Sequence, residues 1–246
     1  MQDIDNIAVV GGGVMGSGIG QVFLQNGYTV SVRDIDADIL EAAEERIRSG
    51  NYGLDRAVEG GYLTEAERAD ALDRLTLTTD LEEAVEDADL LVEAVTEDLS
   101  LKGQVFREVD AVTEDIPLYS NTSGFSVASI ANAVSDPSRV AVAHFFNPAP
   151  VMPLVEVVQS EQTDQAVVDL MEELCEAVGK EPVVIDDAPG EYGFVANRCY
   201  AAMREEARKV VDEGVATEKQ VDTAMEEGYN LPVGPFSLAG LGEEWD

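Results

Sequence analysis

His144 and Glu156 are the side chains of this chain best placed by type and spacing to move a proton. His144 is the only histidine, and it follows a strand-like run, Val140-Ala141-Val142. Glu156 comes twelve residues later, inside the next such run, Leu154 to Val158. Histidine titrates near neutrality, and a carboxylate beside it holds its tautomer and stabilises its charged form. A lone histidine next to aromatics, here Phe145 and Phe146, is more often a satisfied structural residue. The pair therefore needs support from the rest of the chain.

A second constellation lies at the N-terminus. Gly11, Gly13 and Gly16 stand at G-x-G-x-x-G spacing, with Val14 and Met15 completing the turn. A buried strand, Ile7 to Val10, precedes the turn and a helical stretch follows it. The three glycines suit a tight turn, close backbone approach to a pyrophosphate, and close packing of helix on sheet. The helix start aims free N–H groups and a positive dipole end at that anion. Asp34 follows the second strand, Tyr28 to Val32, where a carboxylate can accept hydrogen bonds from an adenosine ribose and repel a 2′-phosphate. These residues predict a bound dinucleotide, NAD by preference, with NADP kept as the alternative by Arg33 next to Asp34. In such a sheet, ligands bind beyond the carboxyl ends of the strands. His144 sits at one of those ends, where it would face the nicotinamide.

The elements between these residues alternate. Helices are predicted over Ala37 to Ser49, after a capping box at Thr64-Glu65-Ala66-Glu67, over Leu81 to Glu86, Ser100 to Thr113 and Thr163 to Val178. Strands are predicted at Leu75 to Thr78, Leu90 to Val95, Leu118 to Ser120, Val140 to Val142, Leu154 to Val158 and Pro182 to Ile185. The pattern gives an α/β fold with a Rossmann-type, doubly wound, mostly parallel sheet over residues 1–188. Asp186-Asp187-Ala188-Pro189-Gly190 reads as a linker. Beyond it, residues 189–246 are helical, over Phe194 to Asp212 and Thr217 to Glu227, with Thr217 and Gln220 as a second capping box. That stretch is too short for an independent core and should pack on the first domain or a partner subunit.

Fifty acidic residues against fifteen basic ones give a net charge of −35 in 246 residues. Such a surface repels nucleic acid and anionic membrane, so neither is an expected partner. The acids are spread over many helices, and their mutual repulsion is largely screened only at molar salt. The charge points to a halophilic protein. Cys175 and Cys199 form no metal-binding or disulfide pattern. No basic-plus-apolar leader opens the chain, and its most apolar long window, Val140 to Val158, holds three prolines. A soluble cytoplasmic protein is expected.

From Ile7 to Phe236 the chain resembles the NAD-dependent L-3-hydroxyacyl-CoA dehydrogenases, including the 3-hydroxybutyryl-CoA enzymes. The likeness rests on Val10 to Ile19, Ala88 to Glu97, Ser120-Asn121-Thr122-Ser123, His144-Phe145-Phe146-Asn147-Pro148-Ala149-Pro150-Val151-Met152, Leu154 to Val157, Asn197-Arg198 and Pro232-Val233-Gly234-Pro235-Phe236. The resemblance implies that His144 is the general acid/base and that Glu156 orients it. It implies that Ser123 and Asn197 hydrogen-bond the substrate oxygen and thioester region, polarising a developing oxyanion. Glu97, Lys102, Ser123 and Asn147 match positions at the nicotinamide half of the cofactor, and Asp34 matches the adenosine-ribose acid. The expected substrate is an acyl-CoA, oxidised at its 3-hydroxyl in β-oxidation or short-chain acyl-CoA metabolism. The expected assembly is a homodimer, provided the C-terminal domain suffices.

Three departures from the family pattern stand out. The run Pro189-Gly190-Glu191-Tyr192-Gly193-Phe194-Val195-Ala196 before Asn197 is longer than usual. The basic residues that hold CoA phosphates in some members do not align, leaving Arg46, Arg48 and Arg56 as nearby candidates. The sequence ends at Leu241-Gly242-Glu243-Glu244-Trp245-Asp246, where the family continues for several helices, so the C-terminal domain reads as shortened. Two alternatives follow: a related hydroxyacid or sugar-acid dehydrogenase without CoA, or a truncated, inactive NAD-binding paralogue.

Overall fold

The computed structural model describes residues 4–113, 115–188 and 190–241. Pro189 of the expected linker and the terminal stretch Gly242 to Asp246 lie outside them. The chain divides into two compact units, Met1–Glu191 and Tyr192–Asp246.

The first unit opens with β1 (Asn6–Val10), α1 (Val14–Gln25), β2 (Thr29–Arg33), α2 (Ala37–Ser49), α3 (Leu54–Glu59) and α4 (Glu65–Asp73). It continues with β3 (Leu75–Thr78), α5 (Leu81–Val85), β4 (Leu90–Glu93), α6 (Leu99–Asp110), β5 (Leu118–Ser120) and α7 (Val127–Ala131). It closes with β6 (Val140–Phe145), β7 (Leu154–Gln159), α8 (Gln165–Ala177) and β8 (Glu181–Asp186). The strands form one sheet in the order β3-β2-β1-β4-β5-β6-β7-β8. Strand order reverses between β1 and β4, which places the topological switch point beside the glycine turn. Strands β1 and β4 are buried along nearly their whole length, as a sheet covered by helices on both faces requires. Ile7, Val9, Leu90 and Val92 meet Phe23 of α1, Val30 and Val32 of β2, and Ala141 and Ala143 of β6 in the core.

The sheet is parallel except at one junction. Strand β7 runs antiparallel to β6, and β8 runs parallel to β7. Only residues 146–153 join β6 to β7, too few for a crossover, which takes a dozen or more. The junction is therefore a hairpin, and it sets His144 directly opposite Glu156. Strand β4 stops at Glu93, two residues short of the expected Val95. The Val95 amide leaves the ladder and donates to the Glu93 side chain at 2.7 Å.

The second unit contains α9 (Val195–Asp212), α10 (Glu218–Tyr229) and α11 (Pro235–Leu241). Both predicted capping boxes form, Thr64 with Glu67 at α4 and Thr217 with Gln220 at α10. In α10 the Asp222 carboxylate accepts from the amides of Phe236 and Ser237 and from the Ser237 hydroxyl. One turn later, Glu226 accepts from the Gly234 amide at 2.8 Å. These bonds explain the Pro232 to Phe236 block as a turn gripped by α10. An added Cβ at Gly234 would overlap Asp222.

Candidate active site

In the glycine turn, Gly11 and Gly16 show the tight bend and the close helix packing expected of them. Gly11 has φ +109°, and a Cβ there would lie 2.6 Å from the Ala94 carbonyl oxygen, where the chain leaves β4. A Cβ on Gly16 would fall 1.7 Å from the Gly11 oxygen, so α1 can seat on the turn only without one. A Cβ on Gly13 would meet nothing within 4 Å, the open side of the cradle. Gly13 caps α1, and Val14 and Met15 form its first turn, which carries neither a side-chain cap nor an acid. Asp34 accepts from the Gly12 amide at 2.8 Å, and Arg46 donates to the Gly12 carbonyl at 3.3 Å. Both polar groups of Gly12 are thus held from the β2–α2 side. Of the other arginines considered for phosphate, Arg48 pairs with Glu44 and Arg56 with Glu59 at the surface.

A buried charge network lies beyond β4 and β5. Lys102, on α6, is 1% exposed. Its ammonium lies 2.8 Å from Glu93, 3.2 Å from Glu97 and 3.2 Å from the Val95 carbonyl. The other oxygen of Glu93 takes the Ser120 hydroxyl at 2.5 Å. Burial pushes the Glu93 carboxyl above the usual carboxylate value, while Lys102, Ser120 and the Val95 amide pull the other way. Desolvation also acts to raise Glu97. The Thr122 hydroxyl, the Lys102 ammonium and the Ser123 amide overcome it and hold Glu97 below the ordinary value. One oxygen of Glu97 takes the Thr122 hydroxyl at 2.6 Å, the Ser123 amide at 2.9 Å and the Ser123 hydroxyl at 3.1 Å. The structure thus brings Glu97, Lys102 and Ser123 together. It sets Lys102 behind Glu97, with its three protons directed at oxygens of this chain.

His144 is the penultimate residue of β6, 5% exposed, with its Nδ1 2.8 Å from Oε2 of Glu156, which is 1% exposed. The antiparallel register makes the two residues direct cross-strand neighbours, which explains their twelve-residue spacing. The Phe146 ring stands 4.4 Å from the imidazole, centroid to centroid. Asn147 follows in the hairpin loop and precedes Pro148 through a cis peptide bond. Asn197 occupies the first turn of α9, in the second unit.

Sequence reasoning assigned no role to four residues that shape this edge. Glu93 and Thr122 hold Lys102, Glu97 and the Ser123 turn. Asn121 accepts from the Phe145 amide at 2.8 Å and so ties the end of β6 to β5. Lys180 holds the loop that carries Asn147. A glutamate in the middle of an otherwise apolar strand run was the available signal for Glu93. The others show no signal short of tertiary contacts.

Two family models match the chain: the 3-hydroxyacyl-CoA dehydrogenase NAD binding domain over residues 6–188, and the C-terminal domain of the same enzymes over residues 193–242. The chain belongs to the 3-hydroxyacyl-CoA dehydrogenase family. Among its relatives, the 3-hydroxybutyryl-CoA dehydrogenase of Mycobacterium tuberculosis is 40% identical over 97% of this chain and 82% of its own. The mitochondrial hydroxyacyl-coenzyme A dehydrogenase of Rattus norvegicus is 36% identical over 96% of this chain and 75% of its own. The crystal structure of (S)-3-hydroxybutyryl-CoA dehydrogenase from Ralstonia eutropha superposes with a TM-score of 0.91 at 34% identity. It covers 97% of this chain and 82% of the other.

As a member of this dehydrogenase family the chain uses NAD, and its residues fit that cofactor. The open side of Gly13, the uncapped start of α1 and the carboxylate of Asp34 are the groups that a pyrophosphate and an adenosine ribose require.

Proposed function

We propose that this chain catalyses the reversible NAD-dependent oxidation of a (3S)-3-hydroxyacyl-CoA to the 3-oxoacyl-CoA. The observation that carries the reading is the buried His144–Glu156 pair, Nδ1 to Oε2 2.8 Å, on the sheet that also bears the glycine turn. NAD, when bound, supplies the hydride acceptor at its nicotinamide ring. His144 takes the proton of the substrate hydroxyl on Nε2 as the neighbouring carbon gives up its hydride. It returns that proton in the reverse direction. Glu156, on the other ring nitrogen, fixes the tautomer and stabilises the imidazolium.

Ser123 and Asn197 hydrogen-bond the substrate oxygen and thioester region, where negative charge develops. Glu97, Ser123 and Asn147 face the nicotinamide half of the cofactor, Lys102 acts from behind Glu97, and Asp34 receives the adenosine ribose. The names of the relatives, several of them 3-hydroxybutyryl-CoA dehydrogenases, favour a short acyl-CoA.

The finer picture is a homodimeric cytoplasmic enzyme of a halophile, with neither nucleic acid nor membrane as partner. A net charge of −35 supports the salt adaptation and the absence of anionic partners. Among the described residues, no helix is long and apolar enough to cross a membrane. Within the described part of the second unit, Phe194, Ala207 and Pro235 are the buried apolar side chains, whereas Val195, Val215 and Tyr229 are exposed. That surface suits a partner subunit.

The test is NADH absorbance with acetoacetyl-CoA at high KCl. Turnover is expected, and His144→Gln is expected to cut kcat by roughly 10²–10⁴-fold while NADH still binds. Turnover of free hydroxyacids alone would refute the CoA substrate. Equal inactivity of wild type and H144Q, with NADH bound by both, would leave a binding protein and no enzyme.

A further inference from the structure

Lys180 has no part in the chemistry above, yet it is one of the few buried cations of the first unit, 9% exposed. It ends the turn between α8 and β8, and its ammonium points into the β6–β7 hairpin loop. There it donates to the Ala149 carbonyl at 2.6 Å and to the Met152 carbonyl at 2.9 Å. We propose that Lys180 is a positioning residue for hydride transfer, clamping the 146–153 loop against α1 at Gly18. The inference rests on the dehydrogenase reading.

The loop begins two residues after His144 and carries Asn147, so its placement bears on both the proton-transfer group and the nicotinamide side of the site. Its own backbone bonds make it a compact turn: the amides of Val151 and Met152 both donate to the Pro148 carbonyl at 2.9 Å. Those bonds shape the loop but do not locate it. Location comes from outside, on two sides. On one side stand the Lys180 ammonium and, next in sequence, the Glu181 amide, which donates to the Pro153 carbonyl at 2.8 Å. On the other side, a Cβ built on Gly18 would lie 3.3 Å from both Ala149 Cβ and Pro150 Cδ, so the loop is pressed on α1.

Helix α1 is also the helix whose start faces the dinucleotide. The clamp therefore refers the loop to the same element that holds the cofactor. Burying an ammonium is costly unless its protons are well satisfied. Lysine suits the task because one long side chain carries several donors to carbonyls three residues apart.

The experiment compares wild type with Lys180→Met, Lys180→Arg and Gly18→Ala, with turnover normalised to NADH-binding sites. Three readouts are taken: amide exchange at Val151 and Met152, the resonance of the single imidazole, and kcat with its isotope effect from 4-deuterated NADH. In K180M, exchange at both amides should rise about tenfold or more, with β1 and β4 unchanged, and the His144 signal should shift or broaden. Displacing reacting groups by about 1 Å costs up to roughly 100-fold. Thus kcat should fall at least about tenfold with a larger isotope effect, while KM for acetoacetyl-CoA stays within about threefold. K180R should recover most of the loss.

Unchanged exchange in K180M overturns the clamp, and so does a loosened loop with unchanged kcat. If wild type itself does not turn over, the dehydrogenase reading fails; exchange and the His144 resonance then decide the clamp, and no change in either overturns it. If K180M does not fold, Gly18→Ala pushes the same loop from the other side. An unchanged kcat and isotope effect there count against the proposal.

Discussion

The Asp34 carboxylate accepts a hydrogen bond from the Gly12 amide at 2.8 Å, so the acid beyond β2, proposed above to receive the ribose, is also part of the glycine turn. Its other oxygen faces the Asp36 amide at 3.3 Å. Substitutions at Asp34 should therefore have two separable effects. Asp34→Ala should raise KM for NAD and also destabilise the fold by about 1 kcal/mol, the usual net worth of one such bond. Asp34→Asn keeps a carbonyl oxygen for Gly12 and removes the charge, so it should raise KM for NAD, ease NADP turnover and leave the melting temperature nearer wild type. Thermal melts beside KM values for both cofactors check this. Identical melting of the two variants would show that the Gly12 bond contributes nothing.

The residues legible in the sequence are those whose reason is local or motif-borne. Gly11 and Gly16 announce themselves because a tight turn and a helix seat each exclude a side chain, and Gly13 because the motif spacing includes it. The two capping boxes are legible because both partners lie within one helical turn. Strand-helix alternation was enough for the layered sheet, and α2 and β3 fall on their expected residues. What escaped is what depends on tertiary partners or on very short elements. α3 and α7, six and five residues long, carry too few turns to show an apolar period, although the equally short α5 falls within its expected range. The β6–β7 hairpin was hidden because two apolar runs look the same whether their strands run parallel or antiparallel. The buried bond from Lys102 to Glu93 was hidden because sequence shows the neighbours of a lysine in the chain and not the carboxylate packed against it.

That buried pair makes a sharp prediction. Glu93 and Lys102 are 0% and 1% exposed at their side chains, with nitrogen and oxygen 2.8 Å apart. Removing one partner of a buried pair typically costs about 3–5 kcal/mol, because the remaining charge is left without its counter-ion. Lys102→Met should therefore destabilise strongly, and more so at pH 8 than at pH 5. The folded-state pKa of Glu93 is already raised by burial and rises further without the ammonium. A carboxyl raised on folding lends its stability below the unfolded value, and that stability is lost as pH rises through the folded value. Glu93→Gln in the Lys102→Met background should remove the pH dependence and recover part of the loss. Urea melts at both pH values decide the matter; a Lys102→Met protein as stable as wild type at pH 8 would contradict it.

The two cysteines should differ in reactivity for a reason visible in their surroundings. Cys175 is 1% exposed in the core face of α8, and burial pushes its thiol up to about 12. Lys180 opposes that rise, while Glu172 and Glu176 add to it. Cys199 is exposed on α9. At pH 8 the thiolate is the reactive form, and Cys175 supplies almost none. A disulfide reagent should titrate a single thiol in the native protein and both in denaturant, and Cys199→Ser should abolish the native reaction. Rapid native modification of Cys175 would mean that α8 opens from the sheet far more readily than its packing implies.

The charge leads to a prediction about the solvent. With fifty acids and fifteen bases, most carboxylates have no cation to pair with, and exposed pairs such as Arg48–Glu44 and Lys209–Glu205 neutralise few of them. Such exposed pairs are screened by solvent and contribute too little to offset repulsion among so many like charges. Added salt should do what the few bases cannot, since the screening length falls from about 10 Å at 0.1 M to about 3 Å at 1 M. The buried sheet should hold at high salt, and the effect should fall first on the second unit, where few apolar side chains are buried. Circular dichroism melts from 0.1 to 2 M KCl should show a rising midpoint, with helix signal lost before the sheet signal at the low end. A midpoint that stays flat across that range, with the fold intact in dilute neutral buffer, would remove the case for salt adaptation and leave the acidity without a role in folding.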